Sequence, residues 1–190
     1  MSEVFFTSDL HLGHGNILST CGRPFGSVEE MNEQLIENWN RKVSGDDVVY
    51  ILGDFSYRSK EHVSCYLKRM NGRKHLIVGN HDYKWMKNVP EPEVYFESVC
   101  EMNVINVDKR IITLCHYPMF EWYMSRHARD QESSFSWLIH GHIHNSRESD
   151  SYKYIKENLP CALNAGVDIN GFEPVTFDEL LANNKRWYER

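Results

Sequence analysis

The chain has 190 residues, 41% of them hydrophobic and 25% charged, with a formal net charge of −6. That length suits a single domain, 1–190, with a substantial core, and the acidic balance argues against stable nucleic-acid binding. No stretch approaches the roughly 18 uninterrupted apolar residues of a membrane span, and residues 1–13 lack the basic start and apolar core of a signal peptide, so a cytoplasmic protein without membrane contact is expected. The five cysteines are odd in number and form no Cys-x-x-Cys pair, which argues against a disulfide framework or a structural zinc knuckle. Each is expected to be a small buried or half-buried thiol, Cys115 beside His116 included.

In chain order, residues 4–8 form a short β-rich run ending at Asp9. Residues 27–43 read as a helix: Ser27 and Glu30 make an S-x-x-E capping box, and Val28, Met31, Leu35, Trp39 and Val43 recur at helical spacing as a core stripe. A strand at 47–52 runs into Gly53-Asp54, a helix is expected over 60–70, and a strand at 74–78 runs into Gly79-Asn80-His81-Asp82. This alternation predicts βαβ units and parallel or mixed sheets. Residues 103–107 and 110–115 flank Asp108-Lys109 as a tight hairpin. Residues 118–134, rich in aromatic and charged side chains, read as an irregular excursion of the kind that builds pockets beyond strand ends. Strands are expected at 135–139 and 162–165, and Thr176-Phe177-Asp178-Glu179 caps a short C-terminal helix. No internal repeat or low-complexity segment interrupts this order.

The residues that carry chemistry sit at the ends of the apolar runs. Asp9-Leu10-His11, Gly53-Asp54, Gly79-Asn80-His81-Asp82, Cys115-His116-Tyr117 and Gly141-His142-Ile143-His144 each close one run. Asp, His and Asn offer the oxygen and nitrogen donors that suit divalent first-row metals. One such ending is an ordinary turn. Five in order point to a metal site, because independent turns have no reason to choose only metal ligands. Residues two apart on a strand share a face, so His140, His142 and His144 could all converge.

The ordered set D-x-H, G-D, G-N-H-[DE], isolated His and G-H-x-H resembles that of the calcineurin-like, dinuclear metallophosphoesterases. It runs from Asp9 to His144, and the phrases SDLHLGHGNI, LGDF and GNHD are most similar to the small bacterial and phage-type members. The resemblance implies an α/β fold with two mixed β-sheets sandwiched between helices. It implies two divalent metal ions about 3.5 Å apart. Asp9, His11 and His144 would hold one, Asn80, His116 and His142 the other, and Asp54 would bridge them. His140 is then left as a packing or orienting residue. His81 is cast as the general acid.

Charge counting supports this assignment. Two divalent cations bring four positive charges, while Asp9, Asp54 and a bridging hydroxide return three, which leaves about one for an anionic phosphate. Without thiolate ligands, manganese, iron or zinc fit, manganese best, and magnesium suits so many imidazoles less well. The implied reaction is hydrolysis of a small phosphate ester by in-line attack of the metal-bridging hydroxide, with His81 protonating the leaving oxygen. A phosphodiester or nucleotide-like ester is the favoured substrate; a phosphomonoester or pyrophosphate would satisfy the same core. A catalytically inactive metal-binding scaffold is the alternative from another class, but such a chain should have lost ligands, and every motif position here is filled. A nuclease would want a basic groove.

The departures are specific. Protein serine/threonine phosphatases of the superfamily carry G-D-x-x-D-R-G, whose second Asp supports the catalytic histidine. Here the stretch is Gly53-Asp54-Phe55-Ser56-Tyr57-Arg58-Ser59, with Tyr57 in place of that Asp. This argues against a protein phosphatase and leaves the orienting partner of His81 open. Arg58 is either a phosphate contact or a surface arginine. His14 and Asn16 either line the pocket or cap a loop. Trp122, Tyr123 and Arg126 either grip a nucleoside-like group or pack the excursion. Asp82 either orients a neighbour or closes its turn. His62, His75 and His127 have no motif context.

Overall fold

Two four-stranded sheets organise the chain, described over residues 2–89 and 91–189 in a computed structural model. The first sheet runs β1 (Val4–Thr7), β2 (Val48–Ile51), β3 (Arg73–Ile77) and β4 (Ser98–Cys100), every neighbouring pair parallel. The second runs β5 (Met102–Val107), β6 (Arg110–Cys115), β7 (Ser136–His140) and β8 (Ala162–Asn164). In it β5 and β6 are antiparallel and the other pairs parallel. The expected mixed character therefore belongs to the second sheet. In the first, every connection crosses over before the next strand begins, so every strand points the same way. The one reversal is the predicted hairpin: Val107 pairs with Arg110, and Asp108 and Lys109 between them have φ of 48° and 66°. Positive φ at both loop residues is the geometry whose twist matches that of the flanking strands.

Helices flank the sheets: α1 (Ile17–Thr20), α2 (Val28–Lys42), α3 (Val63–Leu67), α4 (Asp82–Met86), α5 (Asp150–Asn158) and α6 (Phe177–Glu189). In α2 the Ser27 hydroxyl accepts from Glu30 N at 3.1 Å, as the capping box predicts, while the Glu30 carboxylate reaches one residue further, to Gly26 N at 2.8 Å. Its stripe is core: Met31, Leu35, Trp39 and Val43 are all buried with Phe5, Val49, Ile51 and Leu76 of the first sheet. Burial of side chains this size contributes about 1.5–3 kcal/mol each. On the other face of β1, Phe6 joins a second core with Ile112, Leu114, Leu138 and Ile139, as the two-residue period of a strand requires.

Three expectations change. The helix expected over 60–70 is only α3, because the Ser59 hydroxyl captures Glu61 N and the His62 imidazole caps the start by accepting from Ser64 N. Past Leu67 the chain tightens, with Arg69 N and Met70 N bonding three residues back. The C-terminal helix is not short: α6 has 13 residues and starts with a reciprocal Thr176–Glu179 box. Strand β4 and helix α5 had no sequence signal, since α5 buries only Tyr152 and Ile155 and β4 has three half-buried residues. No helix among the described residues is long and apolar enough to cross a membrane.

Parallel strands end on one side, and that places the site. The turns after β1 and β2 are stitched together by Asp9 N→Gly53 O and His11 N→Asp54 O, both 3.0 Å. The turns after β6 and β7 are joined by Gly141 N→His116 O at 2.9 Å, and Ser8 bridges to Gly166 beyond β8.

Candidate metal centre

The seven side chains predicted as ligands converge at these strand ends. Atoms of Asp9, His11 and His144 lie within 4.8 Å of one another, as do those of Asp9, Asp54 and His116. Asp54 Oδ2 stands between three imidazoles, 3.5 Å from His11 Nε2, 3.7 Å from His116 Nε2 and 3.8 Å from His81 Nε2. Asn80 Oδ1 is 3.1 Å from both His116 Nε2 and His142 Nδ1. Asp9, His11 and His144 thus lie together, and Asn80 lies between His116 and His142, while Asp9 is also within 4.8 Å of His116.

Backbone conformation concentrates here too. Asp9, His11, Asp54, His142 and His144 all have φ between 49° and 72°, so among the described residues five of the ten non-glycine residues in the left-handed region are candidate ligands. That conformation is disfavoured for residues with a Cβ and persists where surrounding structure enforces it, commonly at functional sites. Two glycines supply the clearance. A Cβ on Gly53, itself at φ 84°, would come within 2.5 Å of His116 Nδ1, and one on Gly141 would collide with the Ser8 hydroxyl and approach Asp9 Oδ2.

The donor set fits divalent cations. Asp9 Oδ1 and His11 Nε2 are buried without a hydrogen-bond partner, an arrangement that is costly unless something else satisfies them. His116 Nδ1 lies 2.7 Å from Leu52 O, so that nitrogen carries the proton. A neutral His116 then turns the lone pair of Nε2 toward Asn80 Oδ1, an acceptor facing an acceptor, which a shared cation would relieve. Burial raises the Asp54 carboxyl above its usual range and lowers His11 and His142. For His144, burial opposes the charge, but the carboxylates of Asp9 and Asp168 outweigh it and hold the imidazole up at about 11. Carboxylates desolvated in this way, with imidazoles around them, are a site that a cation stabilises.

His81 sits over this cluster, anchored by its backbone N–H donating to Asp54 Oδ1 at 2.9 Å. Burial lowers its pKa and the Asp54 charge opposes that. Its ring lies against Tyr57, centroid to centroid 3.9 Å. Asp82 closes the turn and does more: fully buried, it accepts from Gly79 N, Asp54 N, Phe55 N and Trp85 Nε1 at 2.7–2.9 Å. It thereby ties the Gly79–His81 turn to the Gly53–Asp54 turn, and burial pushes its carboxyl up to about 6.

The remaining predicted residues divide. His14 is at the site, its ring 5.3 Å from that of His11 and 4.8 Å from Tyr57. Asn16 is exposed at the start of α1, without a side-chain capping bond. Arg58 is exposed beside the Tyr57 ring. Arg126 is not brought to this cluster: its Nε donates to His127 Nε2, and it lines a different cleft with Glu121, Trp122 and Asn158. The reason is that Trp122 is buried and donates to the Ser136 hydroxyl, which fastens the excursion to β7 as core packing. His140 is fully buried, its Nδ1 donates to Gly141 O at 2.9 Å, and burial lowers its pKa to about 4. It packs beneath the turn. Burial raises the Cys115 thiol, consistent with an inert side chain.

Residues 3–167 match the calcineurin-like phosphoesterase superfamily domain. The chain belongs to that superfamily. An uncharacterized protein of Methanocaldococcus jannaschii is 32% identical over 183 residues, covering 95% of this chain and 90% of its own. The Gene 66 protein of Mycobacterium phage L5 is 32% identical over 168 residues, covering 76% of this chain and 78% of its own. A crystal structure of a protein of unknown function from Aquifex aeolicus superposes with a TM-score of 0.69 at 26% identity, covering 94% of this chain and 97% of that one.

Beyond the superfamily motifs, sequence reading missed Arg23 and Asp168. Asp168 Oδ2 accepts from His144 Nδ1 at 2.9 Å, which leaves Nε2 facing Asp9 Oδ1 at 3.8 Å. A carboxylate behind a histidine in this way fixes its tautomer and ring orientation. Arg23, buried, donates Nε to Asp168 at 2.8 Å, and its two terminal nitrogens donate to Leu10 O and Asp9 O at 2.8 and 2.7 Å. One guanidinium thus joins the Asp9–His11 turn to the residue that orients His144. Cys21 lies on that same far side of His144, within 4.8 Å of it and Asp168. Arg23 and Asp168 are 145 residues apart and fall in no local motif, so no spacing signal could have paired them.

Proposed function

We propose that this chain is a metal-dependent phosphoesterase that holds two divalent cations, manganese favoured over iron or zinc, and hydrolyses a phosphodiester or nucleotide-like ester. The observation that carries the reading is the convergence of Asp9, His11, Asp54, Asn80, His116, His142 and His144 around buried donor atoms that lack partners. Bound there, the cations would supply positive charge for the phosphate and an activated water near neutral pH.

The chain's own residues do the rest. Asp9, His11 and His144 would hold one cation, and Asn80, His116 and His142 the other. Asp54, close to imidazoles of both groups, spans them. Arg23, Asp168 and Leu52 O set which histidine nitrogens are free. His81 hands a proton from Nε2 to the leaving oxygen while the Tyr57 ring holds its plane, a contribution of about 10²–10⁴ in rate. The substrate is a small phosphate ester met in the cytoplasm, without membrane or stable nucleic-acid contact.

The test is hydrolysis of bis-p-nitrophenyl phosphate by protein supplied with manganese, and its loss on adding a strong chelator. No turnover with manganese, iron or zinc, on mono- or diester probes, would overturn the enzyme reading. His81→Ala should retain both metal ions by calorimetry and slow hydrolysis of an alkyl ester, whose leaving group needs the proton, more than that of a nitrophenyl ester. Equal slowing of the two would remove His81 as the acid.

A further inference from the structure

The side of the centre occupied by His81 opens into a cleft of about 220 Å³, lined in part by Tyr57, Arg58, Glu61, His81 and Lys84. We infer that this cleft receives the leaving group and selects substrates whose leaving group carries a second anionic group, a carboxylate or a phosphate. The inference rests on the phosphoesterase reading and specifies its substrate class.

Three observations carry it. The first is position. His81 forms part of the wall, so whatever accepts its proton departs into this space, and the Tyr57 ring 3.9 Å behind the imidazole continues the wall outward.

The second is charge. The Arg58 guanidinium carbon and the Lys84 ammonium nitrogen each lie 5.1 Å from the Tyr57 ring centroid. Among the described residues neither forms an ion pair; of the lysines and arginines only Arg23, Arg41, Lys42, Arg69 and Arg110 do. Both cations line the cleft beside His81, in which Glu61 is the one acidic lining residue. An anion bound in the cleft would be attracted to both.

The third is size: at about 220 Å³ the cleft has room for a compact charged group.

The step balances simply. The attacking water oxygen becomes a phosphate oxygen, the bond from phosphorus to the leaving oxygen breaks with its electron pair going to that oxygen, and His81 Nε2 supplies the proton. Arg58 and Lys84 touch only the anionic tail of the departing alcohol.

An internal competition tests this. 4-Carboxyphenyl phenyl phosphate offers the manganese-loaded protein two leaving groups, and chromatography of the released 4-hydroxybenzoate and phenol reads which one enters the cleft. The 4-carbamoylphenyl analogue is the neutral comparator; its amide withdraws electrons more strongly, so chemistry alone favours its release. The ratio of substituted phenol to phenol should be at least about fivefold higher for the carboxylate, the scale of one or two exposed ion pairs. Lys84→Met and Arg58→Met should each reduce that ratio, and the double variant should bring it to the comparator's value. Both side chains are exposed, so melting temperature and metal stoichiometry serve as checks that the fold is retained. A ratio no higher for the carboxylate, or one unmoved in the double variant, overturns the inference while leaving hydrolysis of bis-p-nitrophenyl phosphate to stand. Absence of hydrolysis with every probe overturns the phosphoesterase reading and this inference together.

Discussion

Asp9 and His11 are almost completely buried, whereas His142 is exposed and the His81 side chain keeps 29% of its surface in solvent. The two halves of the centre differ as much in what stands behind them. Behind Asp9, His11 and His144 lies a side-chain network: Asp168 on His144, and Arg23 on Asp168 and on the backbone of Asp9 and Leu10. Behind Asn80 and His81 the bracing acts mainly through main chain, with Asp82 gathering the N–H groups of Gly79, Asp54 and Phe55. In the closed half Asp168 fixes the tautomer and orientation of His144, as Leu52 O does for the buried His116 of the other half. On the open side His81 lines a cleft together with Tyr57 and Lys84.

Substitutions can break or sharpen that contrast. The largest effect is expected for Asp54→Asn, which removes the charge placed between the halves and should weaken manganese binding by more than about 100-fold, with loss of the second equivalent in a calorimetric titration. If both equivalents still bind at wild-type affinity, Asp54 does not link the halves.

Asp168→Asn comes next. It leaves Arg23 buried and unpaired, so stability should fall by about 3–5 kcal/mol in urea unfolding. It should also weaken one metal equivalent, and only one, by roughly 10–100-fold. Equal weakening of both would show that the halves are not braced separately.

The smallest effect is expected for Tyr57→Leu. It removes the ring behind His81 but no ligand, so metal stoichiometry should be retained while turnover of an alkyl ester falls by up to about tenfold. A change in metal binding in this variant would mean that the open half depends on side-chain packing after all.

Much of this molecule is legible in its sequence, and the reasons are local. The α2 stripe, the Asp108-Lys109 hairpin and the strand ends carrying Asp9, Asp54, Asn80, His116 and His142 are each written within a few consecutive residues, where periodicity and turn chemistry act. Helix α5 is not legible because two buried residues make no stripe, and the helix expected over 60–70 is shortened by side chains that compete for its first N–H groups. The sequence left Arg126 open between two roles for a related reason: aromatic and basic composition looks the same in a loop that grips a ligand and in one that fastens itself to a strand.

By itself the sequence determined the superfamily, because residue type and motif order are properties of short segments, and it marked His142 and His144 as candidates over His140 through a superfamily pattern. Tertiary structure alone decided how those side chains are held. Arg23 comes from the loop after α1 and Asp168 from the segment after β8, and only the packing of two sheets brings them behind His144. The same packing set Tyr57 against His81 and left Arg58 and Lys84 unpaired beside it. Contacts between segments distant along the chain have no local signature, since their energy exists only once the sheets have closed on one another.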